Sequence, residues 1–245
     1  MKLSYSETWA DVVRMLRENM AVIAALAGVF LFLPALLTGY FIPAPEQVEP
    51  KQFLEAMIAH VSANWHWFLL AQLASMVGAI SILLLLLGAK GRTVGGLIAA
   101  ALAILPIYFL ASLVSNLLIL LGMLFLIVPG LYVLGRLCLT GPVVVAEEQR
   151  NPLTAISRSW DLTEGKGWAV LGLVLLVAIS GAIIGAVIGM MLGIVFHIVA
   201  AGDLALLLVK IVEALCGAAL NALLIVLVAA IYRRLGSKTS AAAAN

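Results

Sequence analysis

The chain is short of charge. It carries 14 basic and 12 acidic residues in 245, or 11% against the roughly 25% of an average soluble domain. That is too little to coat a globule. It excludes a soluble enzyme, a disordered chain and a nucleic-acid binder that works through a basic patch. Cysteine is scarce too: Cys138 and Cys216 each lie inside an apolar run, with no CxxC or Cys/His neighbour. Both read as small packing residues, not as a disulfide or metal site. Histidine occurs three times, with no cluster at metal-ligand spacing. Catalytic signatures are missing as well: there is no HExxH, GxSxG, GxxxxGK[ST] or paired Asp/Arg motif of the lipid phosphotransferase kind. The expectation is a non-enzymatic protein with no cofactor, no metal and no nucleic-acid partner.

What is present is apolar length. Hydrophobic residues make up 64% of the chain, and the mean hydropathy is +1.19. A helix needs ~20 apolar residues to cross ~30 Å of hydrocarbon, and the apolar runs have that length. Ile82 to Leu87 and Leu223 to Ala230 show no two-residue alternation, which excludes a transmembrane barrel. The fold class is an all-α polytopic membrane bundle of about six transmembrane helices.

The spacing predicts an amphipathic interfacial helix over residues 1–19. Tyr5, Trp9, Val12, Val13 and Leu16 share one face, and Ser4 and Glu7 form a capping-box pair. Glu7, Asp11 and Glu18 before the first run, and no clear A-x-A site after it, argue against a cleaved signal. The membrane domain covers residues 20–235. Its spans are expected at 20–41, 67–87, 94–113, 117–146, 168–196 and 204–232, and 236–245 form a frayed tail. Further interfacial helices are expected near 51–61, after Pro50, and near 152–164, after the Asn151-Pro152 start signal. Trp65 and Trp67 mark a membrane boundary. The fourth run is longer than a bilayer, so Pro129-Gly130 is expected to kink it, and Gly141-Pro142 to divide it again.

Charge sets the orientation. With both termini inside, cytoplasmic segments hold 11 of the 14 basic residues, and the outer connections hold only Lys51. This asymmetry points to an N-in, C-in multi-pass protein of the bacterial inner membrane.

Few residues stand out against this background. Lys210, Glu213, Gly217 and Asn221 in the sixth span share one helical face. They form either an ion pair at the outer interface or a polar cavity for a lipid headgroup or small solute, with His197 and Asp203 at its mouth. A cytoplasmic cluster of Arg136, Glu147, Glu148, Arg158, Trp160, Asp161 and Lys166 reads either as an interfacial helix held by charge or as a docking or headgroup site. Gly181, Gly185, Gly189 and Gly193 recur every fourth residue. They allow close helix packing, within the bundle or at a homo-oligomer seam.

One stretch resembles a known family. Ile127-Val-Pro-Gly-Leu-Tyr-Val-Leu-Gly-Arg136 is followed by Gly141-Pro-Val-Val-Val-Ala-Glu147 and then by Leu153 through Ile156-Ser-Arg-Ser-Trp160-Asp-Leu-Thr-Glu-Gly165. The order is similar to the membrane domain attached to glycerophosphoryl diester phosphodiesterases and to stand-alone inner-membrane proteins of the YciC type. The resemblance implies a six-span bundle with an accessory membrane role, and no phosphodiesterase activity, which in that family belongs to a separate soluble domain. Together these readings favour a scaffold in envelope homeostasis that binds membrane lipids or a membrane-protein partner, with a small transporter or channel as the alternative.

Overall fold

A computed structural model describes residues 4–45, 49, 52–88, 91–199 and 202–242, with side chains described through 236. The helices are α1 (Tyr5–Ala27), α2 (Leu33–Phe41), α3 (Phe53–Leu87), α4 (Val94–Phe125), α5 (Ile127–Leu137), α6 (Thr140–Ala146), α7 (Pro152–Leu162), α8 (Gly167–Val199) and α9 (Asp203–Ala242). There is no strand among the described residues. Lipid offers the backbone no hydrogen bonds, so these apolar runs satisfy their own N–H and C=O groups as helices. Six helical stretches are long and apolar enough to cross a membrane. The fold is therefore a polytopic helical bundle. Large apolar side chains such as Leu124, Phe125 and Ile198 are exposed on its surface, where lipid would contact them.

The N-terminal amphipathic segment is not a separate interfacial helix. From Tyr5 to Phe41 the chain is one unbroken helical rod, joined through a π-helical turn at Gly28–Phe32. Pro34 explains that turn. Proline lacks an N–H and crowds the carbonyl four residues back, and the wider turn just before it absorbs the misfit. The capping box does not form either. Ser4 makes no side-chain cap bond, and Glu7 instead accepts from Arg234, 227 residues away in sequence, at 2.6 Å. Arg234 also bonds Asp11, and the Tyr5 hydroxyl donates to the Ala169 carbonyl at 3.0 Å. Thr8, Val12 and Met15 are buried while Trp9 is exposed. The segment thus packs on α9, and touches α8 through Tyr5, along a face that shares Val12 with the apolar one but leaves Trp9 outside.

The helix predicted near 51–61 is likewise the start of α3, whose 35 residues run for ~52 Å at 1.5 Å each. The helix near 152–164 does stand alone as α7. Asn151 caps it by accepting from the Leu153 N–H at 2.9 Å, with Pro152 at its start.

The third and fourth spans divide differently from the expectation. α4 runs straight through Pro106 and the Ser115-Asn116 pair. The chain then turns at Leu126, which is extended at φ −161° and ψ 143°. Pro129 falls in the first turn of α5, where a missing N–H costs nothing, so Pro129-Gly130 is not a kink. Gly130 serves close approach: a Cβ there would lie 2.5 Å from the Met123 nitrogen and 2.7 Å from its Cα. The second break comes at Cys138-Leu139, and the helix restarts at Thr140, so Gly141 and Pro142 sit inside the first turn of α6.

Arg234 beside Glu7 and Asp11 brings both ends of the chain to one end of the bundle. Lys210, packed on Gly39, marks the other. The tightest packing lies toward the first end. There Val12, Leu26, Val143, Val170, Leu227 and Ile231 share one core. Ile80, Leu83, Leu97, Ala101, Val145 and Ala229 form a second. The packing opens toward the level of Glu213, and the candidate site lies there.

Candidate functional site: a polar cavity between the spans

Three helices bring polar side chains to one place. On α9, Glu213 and Asn221 lie on one face with Gly217 between them. On α4, Tyr108, Ser112 and Asn116 recur every four residues, and on α3, Gln72 and Ser75 lie three apart. All seven polar side chains line a single open cavity of about 600 Å³, closed on a further side by Leu31 and Ala35 of the first rod. Gln72, Asn116, Glu213 and Asn221 are exposed along stretches otherwise apolar enough to span a membrane. Polar groups in hydrocarbon are costly and face a cavity, a partner or the bundle interior. Here they face one another across the cavity. Its volume is within the ~300–1,000 Å³ of small-molecule sites.

The predicted stripe is therefore partly assembled. Glu213, Gly217 and Asn221 line the cavity. Lys210 does not; its Nζ donates to Glu213 Oε2 at 2.9 Å, and its stem lies on Gly39. It sits at the rim. Asn221 Nδ2 also donates to the Gly217 carbonyl at 3.2 Å. His197 and Asp203 are not part of the mouth. The His197 ring engages its own helix at the Gly193 carbonyl, and Asp203 opens α9. Gln72, Ser75, Tyr108, Ser112 and Asn116 were missed as site residues from the sequence. Their three- and four-residue spacings inside apolar runs were the available signal.

Two further cavities adjoin this one. A cavity of about 300 Å³ shares Tyr108, Ser112, Asn116 and Ile225 with it and reaches Thr140, Gly141 and Pro142 of α6. The buried hydroxyls of Ser115 and Thr140 line it and have no hydrogen-bond partner among the described groups. Buried polar groups require a partner, so this space is suited to water or a polar ligand group. A cavity of about 510 Å³ on the other side of Glu213 and Gly217 runs along Gly181, Gly185 and Gly189.

The glycine stripe faces α9. A Cβ at Gly181 would strike Leu220, and one at Gly185 would lie 3.3 Å from Cys216 Cβ. Gly193 nears Val209 at 3.9 Å, and Gly189 meets open space. Gly181 and Gly185 thus sit at a contact within the bundle.

The cluster predicted to be cytoplasmic separates into two groups. In the first, Glu147 Oε1 accepts from Arg158 Nε at 3.1 Å and from the Tyr232 hydroxyl at 3.1 Å. In the second, Arg136 is buried. Its guanidinium lies 4.4 Å from the Trp160 ring centre and 5.7 Å from that of Tyr132, and Nη1 donates to the Thr163 carbonyl at 3.0 Å. The Arg136 carbonyl accepts from the Ser159 and Thr163 hydroxyls. A cation–π contact is worth ~0.5–2 kcal/mol, so these bonds pin α7 to α5. Asp161 and Glu148 are exposed and take no part. Gly135 lets α5 lie close against α8, since a Cβ there would lie 2.6 Å from the Gly167 carbonyl oxygen. Leu153, Ile156 and Trp160 share another face of α7, where they line an apolar groove with Leu118, Val133 and Leu137. Ala155, Ser159 and Leu162 are the buried face.

Comparison with known proteins agrees with this architecture. The chain is similar to a UPF0259 membrane protein of Yersinia pestis (strain Pestoides F), 26% identical over 213 aligned positions covering 74% of this chain and 83% of the relative. The UPF0259 membrane protein of Yersinia pseudotuberculosis serotype O:3 (strain YPIII) matches to the same extent. No protein-family model matches the chain, so the resemblance of residues 127–165 to the phosphodiesterase-associated membrane domain gains no support from one. No solved structure matches it. The names of these relatives state a membrane protein and no activity. Six apolar helices and these relatives together identify the chain as a multi-pass membrane protein similar to the UPF0259 membrane proteins.

Proposed function

We propose that this protein is a non-enzymatic lipid-binding scaffold of the bacterial inner membrane, and that the cavity between α3, α4 and α9 receives the polar part of a bound lipid. The observation that carries this reading is the convergence of Gln72, Ser75, Ser112, Asn116, Glu213 and Asn221 on one open space of about 600 Å³. Five of the six are neutral hydrogen-bonding groups, suited to holding a headgroup without fixing it covalently. Such a lipid would tie the bundle into the envelope, with α7 and the Arg136–Trp160 contact offering a surface to a membrane-protein partner. The resemblance of residues 127–165 to an accessory membrane domain favours the same kind of role.

Native mass spectrometry of the purified full-length protein tests the proposal. Retained phospholipid is expected. Gly217→Leu should lower retention, because a Cβ at Gly217 meets open space and the larger side chain would fill the cavity. Bare wild-type protein, or full retention by the filled variant, overturns it.

A second reading, a small transporter for a solute or lipid, is favoured by one observation. The cavity adjoins the space lined by Ser115 and Thr140 and so extends its polar lining to α6. Flux in proteoliposomes that Gly217→Leu abolishes would establish that reading over the scaffold.

A further inference from the structure

We propose that the group the cavity receives is a primary ammonium, carried by the headgroup of an aminophospholipid, with Glu213 as its counter-charge. The inference rests on the lipid-binding reading of the cavity and names the class of lipid. Among the described residues that line the cavity there is no Lys, Arg or His, and Glu213 is the one carboxylate. A phosphate or carboxylate held there would lack a cationic donor, and anion sites are built from such donors. An ammonium group has three N–H donors and no acceptor. It finds here the Glu213 carboxylate, the amide oxygens of Gln72, Asn116 and Asn221, and the hydroxyls of Ser75 and Ser112.

Lys210 completes the match. It bonds Glu213 Oε2 at 2.9 Å from its place against Gly39, which leaves Oε1 for a second cation. A zwitterionic headgroup presents an ammonium and a phosphate a few bonds apart. With the ammonium on Glu213, the phosphate falls beside the Lys210 ammonium at the rim. The i, i+3 pair on α9 is thus complementary to a zwitterion in a way that a cavity with one charge is not. An anionic lipid offers Lys210 its phosphate and Glu213 nothing.

The test offers full-length protein in detergent an equimolar mixture of phosphatidylethanolamine and phosphatidylglycerol with identical acyl chains, read by native mass spectrometry. Wild-type protein should retain the ethanolamine lipid roughly tenfold over the glycerol lipid, the factor that one charge-assisted hydrogen bond supplies. Glu213→Gln should bring that ratio near one. Trimethylation of the ammonium, as in phosphatidylcholine, should weaken retention by the wild type, which checks the same contact without altering the protein. Equal or greater retention of phosphatidylglycerol, or an unchanged ratio in Glu213→Gln, overturns the assignment while leaving lipid binding intact. Retention of no lipid overturns the lipid-binding reading and this inference with it. Displacement of the lipid by millimolar free ethanolamine would assign the site to a soluble amine and overturn the lipid as its source.

Discussion

The turn between α4 and α5 offers the sharpest test of the fold, because one methyl group decides it. Gly130 in the first turns of α5 faces Met123 near the end of α4. A Cβ at position 130 would lie 2.5 Å from the Met123 nitrogen and 2.7 Å from its Cα, and a Cβ at Gly122 would lie 3.0 Å from Gly130 Cα. Carbon and nitrogen in van der Waals contact stand ~3.5–4.0 Å apart. Relief therefore requires moving one helix by about 1 Å, and a backbone cannot swing aside as a side chain can. Overpacking costs ~1–3 kcal/mol, and the backbone contact places Gly130→Ala at the upper end, about 3 kcal/mol. For a chain of this size each kcal/mol shifts Tm by ~2–4 °C, so the expected loss is roughly 6–12 °C. Thermal unfolding of detergent-purified protein, followed by loss of the monodisperse peak on size exclusion, reads it. Gly189→Ala is the matched control, since nothing lies within 4 Å of its Cβ and alanine is the better helix former, so it should unfold no lower than wild type. If Gly130→Ala also does so, the close α4–α5 approach is wrong, and with it the placement of Pro129 inside α5.

Two further outcomes follow from the charged end of the bundle. Arg234→Ala removes the bonds to Glu7 and Asp11. Because Glu7 is largely exposed, the loss in global stability should be no more than ~1 kcal/mol, but amide exchange over residues 5–12 should rise while that of 20–27 holds. Unchanged exchange would mean that burial of Thr8 and Val12 alone holds the segment. A reporter fused after Ser237 should read as cytoplasmic, together with one placed in the connection holding Arg92, because basic residues collect at those ends. A periplasmic signal from either would reverse the orientation.

How much of this was legible beforehand depends on how local each decision is. Hydropathy is additive along a run, so the six apolar stretches and the solvent they require could be read without knowing any neighbour. Helix starts marked by a local signal were equally readable, as Asn151-Pro152 was for α7. Helix continuity was not. Residues 4–19 carry an amphipathic pattern that suits an interface, but once α1 forms, propagation adds one hydrogen bond per residue, and nothing between Asn19 and Met20 stops it. The polar face then found a partner in Arg234, which no local window contains. Pro129 was misread for the opposite reason: proline disrupts a helix interior and is tolerated in a first turn, and the position of Leu126 decides which applies.

The site divides along the same line. From the sequence alone came the class of molecule, an all-α membrane bundle, and the rare ionisable residues its solvent makes conspicuous, Lys210 and Glu213 among them. Composition and position suffice for that, since each residue bears its own transfer cost. Only the tertiary structure decided that Glu213 opens on Gln72, Ser75, Ser112 and Asn116, that Lys210 stays at the rim, and that Arg136 lies under Trp160. Which helix faces which depends on glycine contacts and ion pairs between residues far apart in the chain, and those energies exist only once the helices meet.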